Sequence, residues 1–459
     1  MSKTIFVISD LHLGGLPGRE MCSSRGQGLL AEFIDGLASR HREKKDVHLV
    51  IAGDFVDFLA DNRIPFRSDQ DDARDQLNEI IGNTQPIWTN LKALVAAGGT
   101  VTVLLGNHDL ELSLPAVRDL MKEKVGLMDF IYDNEAFVDG DLLIEHGNRY
   151  DSWNMVDHGA LRALRSALSR REDGPAFVPP PGSKLVVDVM NPLKKKYSFV
   201  DLLKPENEVL LPILMVLDPG VLTGIQSVMK YKVEMSQNKL GTQFQPKDQG
   251  KISATVPNDE EAFNLGAGML GIDTAQIGAV DKIKEWAAEA KAVSDELVLK
   301  GLLKSLRRWG ADADRRTFNV NIECADYKGP AEVAIKNGFK CVIYGHTHLV
   351  KRVAIGAGTY LNTGTWADLM RLPESILSGD DPRAIADLTT FLADVRSNQV
   401  AGWRRTLPTF ARIDFLETGI KPDVYWFDGA NQISRVEDGN CDRFVTTPDK
   451  AKAARGGSK

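Results

Sequence analysis

His346 and His348, in the stretch Cys341-Val-Ile-Tyr-Gly-His-Thr-His348, present two imidazoles one residue apart, a spacing that can serve one or two metal ions. Four further fragments supply side chains of the same kind: Asp10-Leu-His12, Gly53-Asp54-Phe-Val-Asp57, Gly106-Asn107-His108-Asp109 and His146-Gly147-Asn148. Carboxylate, imidazole and a single amide oxygen together suit first-row divalent cations. The absence of cysteine among the candidate ligands argues against a structural zinc site. A carboxylate set between the two halves, here Asp54, can bridge two cations about 3.5–4 Å apart, the usual spacing of two-metal hydrolytic sites. The His346/His348 pair and the Asp10/His12 pair can each send their two groups to different ions. A binuclear metal site is therefore expected.

Such a site needs its ligands brought to one rim, and the chain around each fragment predicts how. Each follows a short apolar run: Ile5 to Ile8, Leu49 to Ala52, Val101 to Leu105, Leu142 to Ile144 and Val342 to Tyr344. Short apolar runs bounded by Gly, Asp and Asn read as buried strands ending in loops. In open α/β sheets such strand ends are where ligands bind.

In this order the fragments resemble the pattern of the calcineurin-like metallophosphoesterase superfamily: Asp-X-His, Gly-Asp-X-X-Asp, Gly-Asn-His-Asp, His-Gly and Gly-His-X-His. The matching segments are about the first 155 residues and the stretch from roughly 320 to 365. The resemblance implies a four-layer α/β/β/α sandwich and two divalent ions. Asp10, His12, Asp54 and His348 would hold one, and Asp54, Asn107, His146 and His346 the other. It leaves His108 free of metal, facing the leaving group or a phosphate oxygen, with Asp57 orienting it. Manganese is the first expectation for the metal, with zinc, iron and nickel as alternatives under the affinity order of divalent ions. Protein Ser/Thr phosphatases of the superfamily carry Arg and Glu where this chain has Phe58 and Asp109, which argues against that branch. The bacterial UDP-diacylglucosamine pyrophosphatases share a helical insertion and a His-Gly motif followed by Asp, but have Arg at the position of His108.

The chemistry can be argued beside the resemblance. Phosphate esters resist attack because their oxygens are negative; two cations neutralise them and bring the pKa of bound water toward neutrality. A histidine with a carboxylate partner can stay protonated and donate to a departing alkoxide. The plainer readings are a helix-capping loop histidine for His108 and a helix N-cap for Asp57. In the segment after His146, Arg149 is placed to contact a substrate phosphate bidentately and Tyr150 or Trp153 to stack on a base, with Asp151 holding Arg149. The alternative is a packed loop that only fixes His146.

With 459 residues, 43% hydrophobic and 26% charged, the chain has the composition of a soluble globular protein and room for more than one catalytic sheet. Its net charge of −7 argues against non-specific polyanion binding by the whole surface. Cys22, Cys324, Cys341 and Cys441 show no paired spacing, and the N-terminus enters a strand without a signal-peptide pattern, so a cytoplasmic location is expected. The expected organisation is a catalytic core over residues 1–154 and 321–445, a mainly helical insertion over 155–320, and a disordered tail over 446–459. One long helix is expected over Asp71 to Ala97. Asp281 to Trp309 reads as amphipathic helix, with Ile283, Trp286, Ala290, Val293 and Leu297 on one face.

Val209 to Met229 is apolar but broken by Pro212, Asp218-Pro219 and Gly220, so burial in the cap or in a homo-oligomer contact is expected rather than integral membrane insertion. Metal-dependent phosphoester hydrolysis is the expected activity, with a phosphodiester or pyrophosphate preferred. Nucleotide, nucleic-acid and lipid-linked substrates stay open. Phosphomonoesterase and nuclease are the alternatives within the superfamily. A non-catalytic scaffold binding partners through the insertion is the alternative outside it.

Overall fold

The computed structural model describes residues 3–43, 46–218, 295–445 and 447. Its strands run β1 (Lys3–Ile8), β2 (Asp46–Ala52), β3 (Thr100–Leu104), β4 (Asp129–Ile131), β5 (Phe137–Asp139), β6 (Leu142–Ile144) and β7 (Leu203–Lys204). They continue with β8 (Cys341–Tyr344), β9 (Val350–Ile355), β10 (Gly358–Thr363) and β11 (Met370–Arg371). The last are β12 (Thr409–Leu416), β13 (Gly419–Gly429) and β14 (Gln432–Arg435).

Two sheets carry the site. One has seven strands in the order β14-β13-β12-β1-β2-β3-β4, the other five in the order β5-β6-β8-β10-β9. In the first, β1 to β4 are parallel neighbours, so their C-terminal ends lie along one edge; the register pairs Ile8 with Ile51 and Ala52 with Leu104. In the second, β6 and β8 are parallel, with Ile144 opposite Ile343. The five apolar runs of the sequence are thus the strands whose ends open into the motif loops.

Burial fixes the layers. Ile5, Val7, Val50 and Ala52 of the first sheet pack with Leu142, Ile144, Ile343 and Leu361 of the second in one apolar cluster between the sheets. The other face of the first sheet, through Phe6, Ile8, Leu49 and Ile51, packs on helices α1 (Ser24–Arg42), α2 (Gln70–Asn83), α3 (Gln85–Ala96), α4 (Pro115–Val125) and α5 (His158–Ser169). The outer face of the second sheet, through Val342, Tyr344 and Tyr360, meets Tyr327 and Ala331 of the helix Ala325–Lys336. The expected α/β/β/α layering is present, because strands buried on both sides need apolar cover on both.

The long helix expected over Asp71 to Ala97 is two helices. Pro86 stands in the first turn of α3, where it needs no N–H partner; farther inside a continuous helix it would remove a hydrogen bond and clash with the preceding turn. Thr84 closes α2 instead, its backbone N–H reaching Ile80 and Ile81 and its hydroxyl the Ile80 carbonyl.

Two compact units divide the chain: residues 1–183 with 315–370 and 404–444, and residues 184–314 with 371–403 and 445–459. The sequence breakpoints run differently. Helix α5 buries Leu161 and Leu164 in the core of the first unit. The helix Asp381–Arg396, read from sequence as part of the catalytic core, belongs to the second. That second unit is mainly helical among its described residues, and an Arg371–Asp314 ion pair, buried on both sides, ties its segments. Ile283, Trp286, Ala290 and Val293 of the expected amphipathic helix lie outside the described residues, as do most of the apolar run ending at Met229 and nearly all of the expected tail. No described helix is long and apolar enough to cross a membrane.

Candidate metal centre

The loops after β1, β2 and β8 bend sharply to present their side chains. Asp10, His12, Asp54, His346 and His348 all have positive φ, between 45° and 69°. A non-glycine residue there costs on the order of 1–2 kcal/mol, so the side chain rather than backbone ease decides each position. Glycine appears where loops touch. A Cβ on Gly106 would collide with the backbone nitrogen and carboxylate of Asp54, and one on Gly345 with Ser9 and the carboxylate of Asp10. Asp109 ties the second and third loops together, accepting the Phe55 N–H at 2.8 Å and the Gly106 N–H at 2.7 Å. Sequence reading used Asp109 only to exclude a branch; its carboxylate one residue past His108 was the available signal.

Three groups of side chains bring their ligand atoms within 4.8 Å of one another: Asp10 with His12 and His348, Asp54 with His146 and His346, and His12 with Asp57 and His108. In the first, His12 Nε2 faces His348 Nε2 at 3.0 Å, and His348 Nε2 lies 3.4 Å from Asp10 Oδ1. In the second, His146 Nε2 lies 3.3 Å from Asp54 Oδ2. The same Asp54 oxygen is 3.7 Å from His12 Nε2, so Asp54 stands between the two groups.

The third group is a hydrogen-bonded trio. Asp57 accepts from His108 Nδ1 at 3.1 Å through one oxygen and from His12 Nδ1 at 3.2 Å through the other. Its first oxygen also caps the following turn, taking the N–H groups of Leu59 and Ala60. No helix begins directly after Asp57, so the helix N-cap reading does not describe it; its carboxylate bonds a turn and the rings of His108 and His12. Burial opposes the charge of Asp57, but the flanking His108 and His12 outweigh it and hold the carboxyl far below its ordinary range. Burial likewise works against a proton on His108, yet Asp57 and then Asp54 push its pKa up to about 10.

Hydrogen bonds also set the ring tautomers. His146 Nδ1 lies 2.8 Å from the Ala52 carbonyl, which can only accept, so Nδ1 carries a hydrogen and Nε2 is turned toward Asp54. His12, with Nδ1 donated to Asp57, turns Nε2 toward His348 at 3.0 Å. Asn107 gives its amide nitrogen to Asn154 Oδ1 at 3.3 Å, and its own oxygen is buried without a hydrogen-bond partner. His146 Nε2 is buried as well, facing the Asp54 carboxylate at 3.3 Å. Acceptors left bare in a buried cluster of carboxylates are costly unless a cation takes them. The residues present thus fit divalent metal.

The calcineurin-like phosphoesterase family model matches residues 3–200. The chain carries a calcineurin-like phosphoesterase domain. It is accordingly a hydrolase of phosphoester bonds, and its clustered Asp and His side chains suit divalent metal ions. The family match ends before His346 and His348, which the second sheet brings to the same cluster. No curated protein matches the chain.

The expected substrate contacts look different in this calcineurin-like domain. Arg149 pairs with Glu145 at 2.9 Å, not with Asp151, and Tyr150 donates to the other Glu145 oxygen at 2.6 Å. Arg149 is still part-exposed, and it lines a shallow open recess together with His146, His158 and Asn134. Asp151 instead meets His346 Nε2 at 3.2 Å.

Proposed function

We propose that the domain binds two divalent ions, manganese foremost, and hydrolyses a phosphodiester or pyrophosphate. Asp10, His12, Asp54 and His348 would hold one ion and Asp54, Asn107, His146 and His346 the other. The observation that carries this reading is Asp54 Oδ2 within 3.7 Å of His12 Nε2 and 3.3 Å of His146 Nε2, one carboxylate between two imidazole groups. When bound, the ions would neutralise phosphate oxygens and acidify water.

The remaining work falls to the chain's own residues. His108, protonated and held by Asp57 through Nδ1, keeps Nε2 for the leaving-group oxygen and donates a proton as the ester bond breaks. Its part-exposed side chain suits contact with a substrate. Arg149, exposed on one side and anchored by Glu145, supplies a cation to a distal phosphate or headgroup, with Tyr150 braced by the same carboxylate.

The preference for a diester or pyrophosphate rests on charge. A monoester dianion carries one more negative charge at the reacting phosphorus and calls for another cation beside it. The residue after Asp57 is the fully buried, apolar Phe58, which supplies no such cation. Turnover of bis-p-nitrophenyl phosphate against p-nitrophenyl phosphate tests this, and a kcat/KM favouring the monoester would reverse the assignment. A cytoplasmic location is part of the proposal, in keeping with the free thiols of Cys22, Cys324 and Cys341. We assign substrate selection to the helical unit, because every Asp, His and Asn of the site belongs to the other.

A further inference from the structure

The segment five to eight residues past His146 carries a hydrogen-bond chain that nothing in the motif pattern assigns. Asn107 Nδ2 donates to Asn154 Oδ1 at 3.3 Å, and Asn154 Nδ2 donates to Asp151 Oδ2 at 2.6 Å. The same Asp151 oxygen lies 3.2 Å from His346 Nε2. Because a carboxylate only accepts, the hydrogen sits on Nε2 of His346 and the lone pair on Nδ1. At the other end, the amide nitrogen of Asn107 is committed to Asn154, so its oxygen is turned away from Asn154 and remains the buried acceptor without a partner. The chain thus sets which atom of Asn107 and which atom of His346 are offered to a cation.

Asn154 is itself clamped. Its backbone carbonyl accepts from Asn148 Nδ2 at 2.9 Å, and its own N–H reaches the Asp151 carbonyl at 3.0 Å. The second oxygen of Asp151 takes the Trp153 N–H at 2.8 Å. Gly182, at the end of Pro179-Pro180-Pro181-Gly182, presses on the other side: its N–H donates to the Trp153 carbonyl at 2.8 Å, and a Cβ on it would strike Asn154 Oδ1. The proline run that reads in sequence as a simple break therefore delivers a glycine against Asn154.

We propose that Asp151 and Asn154 are positioning residues for the ion held by Asn107 and His346, and that Gly182 fixes Asn154 in place. This rests on the two-ion reading above. Outer contacts of this kind are typically worth 10–100-fold in metal affinity.

The test is calorimetric titration of the metal-free full-length protein with cobalt(II), with thermal unfolding of the same samples. The wild-type chain should take up two ions. In Asp151→Ala, Asn154→Ala and Gly182→Ala, one ion should bind as in the wild type and the other 10–100-fold more weakly, with the unfolding temperature of the metal-free Asp151 and Asn154 variants little changed. The double variant of Asp151 and Asn154 should lose no more than the worse single one, since both act through one chain. Two ions in the wild type, with both affinities unchanged within threefold in the Asp151 and Asn154 variants, would overturn this assignment alone. Equal weakening of both ions would overturn it too, as a general structural effect. A wild-type chain that takes only one ion would overturn the two-ion reading itself.

Discussion

Asp57 grips His108 by the ring nitrogen that faces the protein interior, Nδ1 to Oδ1 at 3.1 Å, and so decides which nitrogen the histidine can offer outward. The same carboxylate reaches His12 Nδ1 at 3.2 Å. One residue thereby couples the proposed proton donor to a proposed metal ligand, and the two roles can be separated by mutation.

His108→Asn should leave metal content intact while lowering kcat by about 10²–10⁴-fold, the usual worth of a positioned acid. The loss should shrink for p-nitrophenyl esters, whose leaving group needs little protonation. Asp57→Asn should show the same kcat defect and, unlike His108→Asn, also weaken one ion by about 10-fold or more through His12. Metal analysis with steady-state kinetics on both variants checks this. Loss of an ion from His108→Asn would make His108 a ligand.

Gly106→Ala should cripple the enzyme although it removes no functional group. Its Cβ would have to displace the backbone and carboxylate of Asp54, and buried strain of that kind costs about 2–4 kcal/mol. Denaturant unfolding of the metal-free protein should register the strain, and a metal titration should show both ions weakened. Normal binding of both would contradict the placement of Asp54 between them.

The clustering of these Asp and His side chains was legible in the sequence because each follows a strand end. Asp10, Asp54, His146 and His346 could be read that way. The positive φ of five site residues was not legible, since residue type alone does not say which Asp or His will take up that conformation, and Asp61 adopts it too. The partner of Asp151 was hidden for another reason. Sequence proximity pointed to Arg149, two residues away, whereas the fold brings His346 to it across 195 positions. Strands β9 and β10 also went unread, because the adjacent charges Lys351 and Arg352 break the apolar pattern of one and Gly358, Thr359 and Asn362 that of the other. Pro86 was in plain view, and its effect on the expected helix follows from elementary backbone chemistry.

Acid stability should depend on a histidine away from the site. His48 on β2 is buried and hydrogen-bonded with Thr102 Oγ1 at 2.8 Å, and burial first, then Lys3, lowers its pKa from 6.5 to about 4. Between those values the unfolded chain binds a proton that the folded chain refuses, so stability falls as pH drops through that window. The contribution is on the order of 2–3 kcal/mol at most. His48→Gln should flatten the dependence of unfolding free energy on pH between about 6.5 and 4, read by urea titrations of the metal-free protein at several pH values. An unchanged slope would show that His48 titrates normally in the fold.

The central claim is that two ions, bridged by Asp54, make this chain a phosphoester hydrolase. The most direct measurement is turnover of bis-p-nitrophenyl phosphate while metal-free protein is titrated with manganese and bound metal is counted. Activity should be absent without metal and reach its plateau only as the second ion per chain binds, and Asp54→Asn should lose the second ion and turnover together. Full activity at one ion per chain, or turnover that survives chelation, would contradict it.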